Sequence, residues 1–270
     1  VGIIKKSKSF YFISPDDPNL HRDIYITESK LKNAKTGDKV VVGNLLWETS
    51  MLNPEGEVID VLGKSGSHDT QVISIAREFS LQYKFPNPVN AEADRIDNII
   101  SKYEIKTRLE NRNKNVFTID PEDAKDFDDA LSIRKLENGN WEIGVHIADV
   151  THYIRPFSFL DKEAYFRGTS VYLVDRVIPM LPEKLSNGVC SLRPNEDKLC
   201  FAAVFEMNDA GHVQKSWFGK TVIHSDKRFA YEDAQAVIET GEGPLKDEIL
   251  TLHALAQKLR AERFRKGAIA

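Results

Sequence analysis

The sequence predicts a multi-domain protein in which an all-β barrel of the OB type precedes part of an α+β domain. Three observations carry this expectation. The 270 residues exceed the usual size of one domain. Several short strand patterns crowd the first stretch of about 60 residues. Further along, strand patterns return interleaved with helical ones.

In the first stretch, Ser9 to Ile13 is aromatic and extended, Ser14-Pro15-Asp16-Asp17-Pro18 reads as a turn, and Asp23 to Thr27 is extended again. Val40 to Leu46 supplies a strand after Thr36-Gly37-Asp38, and Val58 to Leu62 follows the Asn53-Pro54-Glu55-Gly56 turn. Short strands at this spacing suit a small closed barrel, because closure removes unpaired sheet edges. The barrel is expected over 1–66.

Residues 67–112 read as a helical linker: Val72, Ile73 and Ala76 sit at helical spacing, and Phe85-Pro86-Asn87-Pro88 separates that helix from the next. The second domain is expected over 113–270. Its strands include Ala130 to Arg134 and Trp141 to Val150, joined through Asn138-Gly139, a hairpin signal because the glycine accepts positive φ. Ser158 with Asp161 three residues on resembles a capping box, and Gly168 suits the helix stop. Thr169 to Val174 reads as a strand. Past Pro244 an amphipathic helix runs to about Lys266 and directs Leu250, Leu252, Leu255, Ala256 and Leu259 toward a core.

No run of about 18 apolar residues exists that would span a bilayer, and the N-terminus lacks the order of a signal peptide. A cytoplasmic protein with no membrane partner is expected. Cys190 and Cys200 have no companions at zinc-ligand spacing, so two reduced, mostly buried thiols are expected rather than a disulfide framework or a zinc site. The formal net charge of −4 does not by itself favour a nucleic-acid partner. A carboxylate cluster for metal binding coexists with basic patches elsewhere, so charge leaves the partner open.

The strongest chemical signal is Thr118-Ile119-Asp120-Pro121-Glu122-Asp123-Ala124-Lys125-Asp126-Phe127-Asp128-Asp129-Ala130-Leu131. Like charges so close repel one another unless cations or hydrogen-bond donors neutralise them. A solvated acidic loop is the plain alternative. A calcium EF-hand fails, because a loop starting at Asp120 puts Leu131 where the bidentate glutamate is needed. Hard oxygen donors in an open arrangement suit Mg²⁺, or Mn²⁺, in a site that activates water and stabilises a leaving phosphodiester oxygen.

This string resembles the aspartate signature of the ribonuclease II/ribonuclease R catalytic (RNB) domain. Val145-His146-Ile147-Ala148-Asp149-Val150, Arg167-Gly168-Thr169-Ser170-Val171-Tyr172, Ile178-Pro179-Met180-Leu181-Pro182 and Leu185-Ser186-Asn187-Gly188-Val189-Cys190-Ser191-Leu192 are similar to further blocks of that family in the same order. The wording of Arg167 to Tyr172 is closer to ribonuclease R. The resemblance implies a metal-dependent, processive 3′→5′ exoribonuclease that hydrolyses single-stranded RNA to nucleoside 5′-monophosphates. It implies that Asp120, Asp126, Asp128 and Asp129 organise the metal site and that Asp128 is the residue most critical to turnover. It also implies that Tyr172 stacks on the 3′-terminal base and that Tyr231 serves the preference for RNA. His146, Asp149 and His152 have ligand types at i, i+3 and i+6, but a strand-like setting scatters them over both faces.

In the barrel, Ser9-Phe10-Tyr11-Phe12-Ile13 with Asp23-Ile24-Tyr25-Ile26 is similar to the two RNA-binding strands of cold-shock domains. Alternation places Phe10 and Phe12 on one face and Tyr11 and Ile13 on the other. Phe10, Phe12 and Tyr25 are therefore candidate base-stacking residues, with Lys8 and His21 beside them. Core packing of the aromatic pair is the alternative. Ser9 and Tyr11 stand where the family has glycines.

Members of this family continue past the point where the present chain stops. An N-terminal fragment, incomplete for catalysis, is therefore the expectation. The rival class is an RNA-binding module or regulator with a non-catalytic nuclease domain, which would keep the aromatic strands and lose the aspartate quartet.

Overall fold

The computed structural model describes residues 1–8, 10–49 and 51–269; Ser9, the first residue of the expected aromatic strand, lies outside the described residues. The chain opens with strands β1 (Gly2–Ser7), β2 (Phe10–Pro15), β3 (Ile24–Ile26), β4 (Asp38–Leu46) and β5 (Glu55–Lys64). Helices α1 (His68–Glu78), α2 (Asn87–Asp94) and α3 (Lys102–Thr107) follow. Then come β6 (Leu109–Glu110), β7 (Val116–Asp120), β8 (Asp129–Lys135), β9 (Trp141–Ala148), α4 (Val150–Tyr153) and α5 (Phe159–Arg167). The last elements are β10 (Val171–Tyr172), β11 (Val177–Ile178), β12 (Glu196–Met207), β13 (Val213–Ser225), β14 (Lys227–Ala230), α6 (Tyr231–Thr240) and α7 (Lys246–Arg265).

Contacts divide the chain into one unit of Val1–Phe85 with Val171–Ile178 and another of Pro86–Ser170 with Pro179–Ala270. The expected linker over 67–112 is thus shared out between the two. The short β10–β11 hairpin, written in the sequence among second-domain residues, groups with the first unit.

In the first unit, the five strands close in the order β1-β2-β3-β5-β4. Alternation turns Ile4, Ile13, Ile24, Ile26, Val40 and Val58 into one core. Helix α1 starts at Ser67, whose Oγ accepts from the Thr70 N–H, and it buries Thr70, Ser74 and Ala76. Arg77 Nη2 donates to Asp60 Oδ2 at 2.7 Å and the Tyr83 hydroxyl donates to the same oxygen at 2.9 Å, fastening the segment after the barrel to β5.

The second unit is a seven-stranded sheet in the order β14-β7-β8-β9-β12-β13-β6. Helices α6 and α7 bury an apolar cluster of Phe117, Phe229, Ala234, Val237 and Ile249 against it, and a second of Ile133, Ile143, Met207 and Leu255. Ile249 and Leu255 are the buried anchors of α7, while Ala256 and Leu259 are exposed, so the stripe that faces the core is narrower than the sequence pattern suggests. The opposite sheet face carries small and polar side chains: Thr118, Ser132, His146, Cys200, Ala202 and Thr221 are all buried. Continuous burial over Lys198–Cys200 in β12 erases the two-residue alternation by which a half-exposed strand is recognised. Leu136 N–H donates to Asn140 O across the β8–β9 hairpin, with Gly139 at φ +84°. Ser158 Oγ caps α5 by accepting from Asp161 N–H, and Gly168, at φ +74°, ends it. Of the strand expected over 169–174, only Val171–Tyr172 is extended and paired. Both cysteines are free and buried, and burial pushes the Cys190 thiol up to about 12. Among the described residues no helix is long and apolar enough to cross a membrane.

Candidate functional site

Strand β7 ends on Asp120 and strand β8 begins on Asp129, so the connecting loop 121–128 carries Asp126 and Asp128 between them. Phe127 separates those two aspartates and is buried, which roots the loop in the protein. The backbone is held on several sides. Arg228 Nη2 donates to Pro121 O at 2.6 Å and Glu122 O at 2.7 Å. Phe127 N–H donates to Ser191 Oγ at 3.0 Å, and that hydroxyl donates to Lys125 O at 2.8 Å. Leu192 N–H donates to Phe127 O, and Ala148 N–H to Asp128 O.

The charges of the loop act on one another. Partial burial of its carboxylate, then the charges of Asp126, Asp129 and Asp120, hold Asp128 above the usual carboxylate range. Burial raises Asp120 likewise, reinforced by Asp129 and Asp126 and partly offset by Thr118 and Arg228. Asp120 Oδ2 is buried, and the neighbouring Thr118 hydroxyl gives it no well-formed hydrogen bond. Among the described residues, no three His, Cys, Asp or Glu side chains are gathered into a ready-made metal shell.

Tyr231 opens α6 directly after Ala230, and Ala230 lies opposite Asp120 in the parallel β14–β7 register. The fold thus brings Tyr231, still half-exposed, to the strand end that carries the first aspartate. Tyr172 lies on β10, is exposed, and belongs to the other unit. His146 is fully buried with Nε2 3.0 Å from Ser132 Oγ, and burial, then the charge of Lys114, lowers it to about 4. Asp149 pairs with Arg108, and His152 Nδ1 lies 3.4 Å from Arg108 Nη2. Asp149 and His152 thus share Arg108 while His146 lies apart, and the strand setting expected for all three holds only for His146, because β9 ends at Ala148, Asp149 caps α4 and His152 lies within α4.

In the barrel, Phe12 pairs with Tyr25 across β2 and β3. Phe10 packs against both, with ring centroids 6.1 Å from Phe12 and 5.9 Å from Tyr25. Ile13 between the same strands is fully buried, so the alternation puts the three aromatics on the outer face. They line a groove with Lys6, Leu46 and Asn53. Lys8 and His21 are not among its lining residues: Lys8 sits in the β1–β2 turn at φ +25° and His21 is exposed ahead of β3. Lys6 supplies the cation instead, donating at 3.0 Å to the Tyr11 hydroxyl.

Sequence reasoning assigned no role to Arg228 or Ser191. Ser191 stands in a block that resembles the family, but its two hydrogen bonds to a loop 64 and 66 residues away leave no local trace.

The model of the RNB domain matches residues 108–270, and that of a cold shock domain matches residues 12–86. The chain is 41% identical to ribonuclease R of Thermotoga maritima over 276 residues, which takes in all of this chain and 39% of that protein. It therefore spans about two fifths of the length of that curated relative. The structure of Mycoplasma genitalium RNase R in complex with double-stranded RNA is similar at a TM-score of 0.88 and 24% identity, covering 100% of this chain and 48% of that one. The structure of yeast Ssd1, a pseudonuclease, is similar at a TM-score of 0.71 and 20% identity, covering 98% of this chain and 34% of that one.

Proposed function

The chain belongs to the RNB-domain family, with a cold-shock domain ahead of the RNB domain, and from that premise we propose that it serves a metal-dependent, processive 3′→5′ exoribonuclease of the ribonuclease R kind. Its substrate is single-stranded RNA and its products are nucleoside 5′-monophosphates. The observation that carries this reading is the loop 120–129, in which four carboxylates act on one another and burial raises two of them, Asp120 and Asp128.

Asp120, Asp126, Asp128 and Asp129 fit Mg²⁺ or Mn²⁺. Their donors are all hard oxygens, and the raised Asp120 and Asp128 mark uncompensated negative charge that a divalent cation would neutralise. When bound there, such a cation supplies Lewis-acid stabilisation of the phosphoryl oxygens and a more acidic water. Asp128 feels all three of the other aspartates, which supports its role as the residue most critical to turnover. Phe10, Phe12 and Tyr25 grip bases by stacking, worth roughly 1–3 kcal/mol per base without reading sequence. Tyr172 supplies a ring to stack on the 3′-terminal base, and Tyr231 serves the preference for RNA over DNA.

The rival reading, a regulator that binds RNA without cutting it, has a fold-level counterpart in the pseudonuclease. Fold alone does not separate the two. The intact carboxylate quartet favours the catalytic reading, because a binding module has no use for clustered negative charge facing a polyanion. The test is 5′-labelled poly(A) incubated, with Mg²⁺ or with chelator, with the longest natural polypeptide containing this chain. Metal-dependent shortening from the 3′ end and release of 5′-monophosphates are expected. Binding without hydrolysis would establish the rival.

A further inference from the structure

We propose that Arg228 and Ser191 are positioning residues that fasten the carboxylate loop from its two ends and so set the separation of the four aspartates. The clamp itself is a claim about this chain's backbone; only its consequence for a cation rests on the function proposed above.

The need for a clamp follows from the strand register. β7 and β8 pair only at Val116 with Ser132 and Phe117 with Leu131, so their ladder stops short of Asp120 and Asp129. Asp120 is held by β14, through Ala230, and Asp129 by β9, through Ile147. The two strand ends are thus anchored to different neighbours, and the loop between them carries charges that push apart. Nothing in the β7–β8 pairing fixes their distance.

Arg228 bridges this opening from the β14 side. Its Nη2 donates to two successive carbonyls at the start of the loop, and its guanidinium carbon lies 5.6 Å from the centroid of the Phe127 ring near the end. One side chain therefore ties both halves of the loop together. Its Nε is buried, so part of the guanidinium is withdrawn from solvent even though the Nη2 bonds lie near the surface. Ser191 holds the far half. Its hydroxyl is both acceptor from Phe127 N–H and donor to Lys125 O, in a residue with no solvent exposure. Alanine retains the packing but neither bond.

The experiment measures amide exchange at Phe127 and Ala124, together with Mn²⁺ affinity by electron paramagnetic resonance, in the wild-type chain and in Arg228→Gln, Arg228→Lys and Ser191→Ala. Ala124 N–H shares the Pro121 carbonyl with Arg228, and Phe127 N–H is bonded to Ser191. Exchange at these amides should accelerate roughly tenfold in Arg228→Gln and Ser191→Ala, with β12 and β13 amides unchanged. Mn²⁺ affinity should fall about tenfold. Arg228→Lys, which keeps a cationic donor but loses the planar fork, should recover part of both. Unchanged loop exchange, or loosening spread evenly over the sheet, would overturn the clamp. An Asp120→Asn/Asp129→Asn chain that binds Mn²⁺ like wild type would instead sink the metal assignment, and the exchange data would still decide the clamp.

Discussion

Arg108 Nη1 lies 2.8 Å from Asp149 Oδ2, and both side chains are almost wholly buried, at 1% and 2% exposure. Arg108 precedes the edge strand β6 and Asp149 follows β9, so the pair ties the sheet's rim to its interior. Arg108 Nη1 also donates to Cys200 O at 3.3 Å, and Thr151 Oγ1 donates to Asp149 Oδ1 at 2.9 Å. The two buried charges belong to a small network, with Glu104 Oε2 2.9 Å from Arg108 Nε and Lys220 Nζ 3.6 Å from Asp149 Oδ2, and removing one member of the buried pair should cost more than removing both.

Arg108→Met should therefore destabilise the chain by about 3–5 kcal/mol, because Asp149 loses its buried partner and keeps only the half-exposed Lys220, 3.6 Å away. Arg108→Met with Asp149→Leu should be distinctly more stable than the single variant. Urea denaturation of both measures the difference. Equal losses would show that packing of the arginine stem, and not charge, sets the cost.

His146 should make stability pH-dependent above the carboxylate range. Its folded value, about 4, lies below the ordinary 6.5, so between these the unfolded chain binds a proton that the folded chain refuses. Stability from this group is present above pH 6.5 and is lost as pH falls toward 4. The full loss is on the order of 3 kcal/mol. Thermal melting across that window should show a steep fall in wild type and a flatter one in His146→Gln, whatever the absolute melting temperature of the variant.

Asp128→Asn should raise the melting temperature in metal-free buffer at neutral pH, by roughly 1–3 °C. The carboxylate is held above its usual range, so its ionised form is disfavoured in the folded chain by partial burial and by its three neighbours. The gain should shrink in acid, where the wild-type carboxyl is protonated in both states, and it should shrink on adding Mn²⁺. Hydrolysis should be abolished. A melting temperature below wild type would contradict the repulsion on which the site assignment stands.

Phe10→Ala with Phe12→Ala should weaken poly(A) binding at least tenfold, since each stacked base contributes roughly 1–3 kcal/mol. Melting should change little, because neither ring belongs to the barrel core. Ile13→Ala, on the same strand but facing inward, should do the opposite and cost about 2–5 kcal/mol of stability. Filter binding at fixed salt and thermal melting on the same preparations separate the two faces.

Sequence by itself determined what local order encodes. The strand alternation puts Phe10 and Phe12 outside and Ile13 inside, and the caps at Ser158 and Gly168 fall where they were expected. The crowding of Asp120, Asp126, Asp128 and Asp129 marks the candidate site, because like charges a few residues apart interact in any fold. Tertiary structure alone decided which distant side chains bond the loop that carries them. Arg228 reaches Pro121 across 107 positions of chain and Ser191 reaches Lys125 across 66. It also decided that Tyr172 groups with the barrel unit, that Lys6 rather than Lys8 lines the aromatic groove, and that β12 hides its period under two-sided burial. The physical reason is common to all of these. Propensity, charge and alternation act within a few residues along the chain, whereas a hydrogen-bond partner, a covering layer or a groove wall is supplied by whichever distant segment the folded backbone brings alongside.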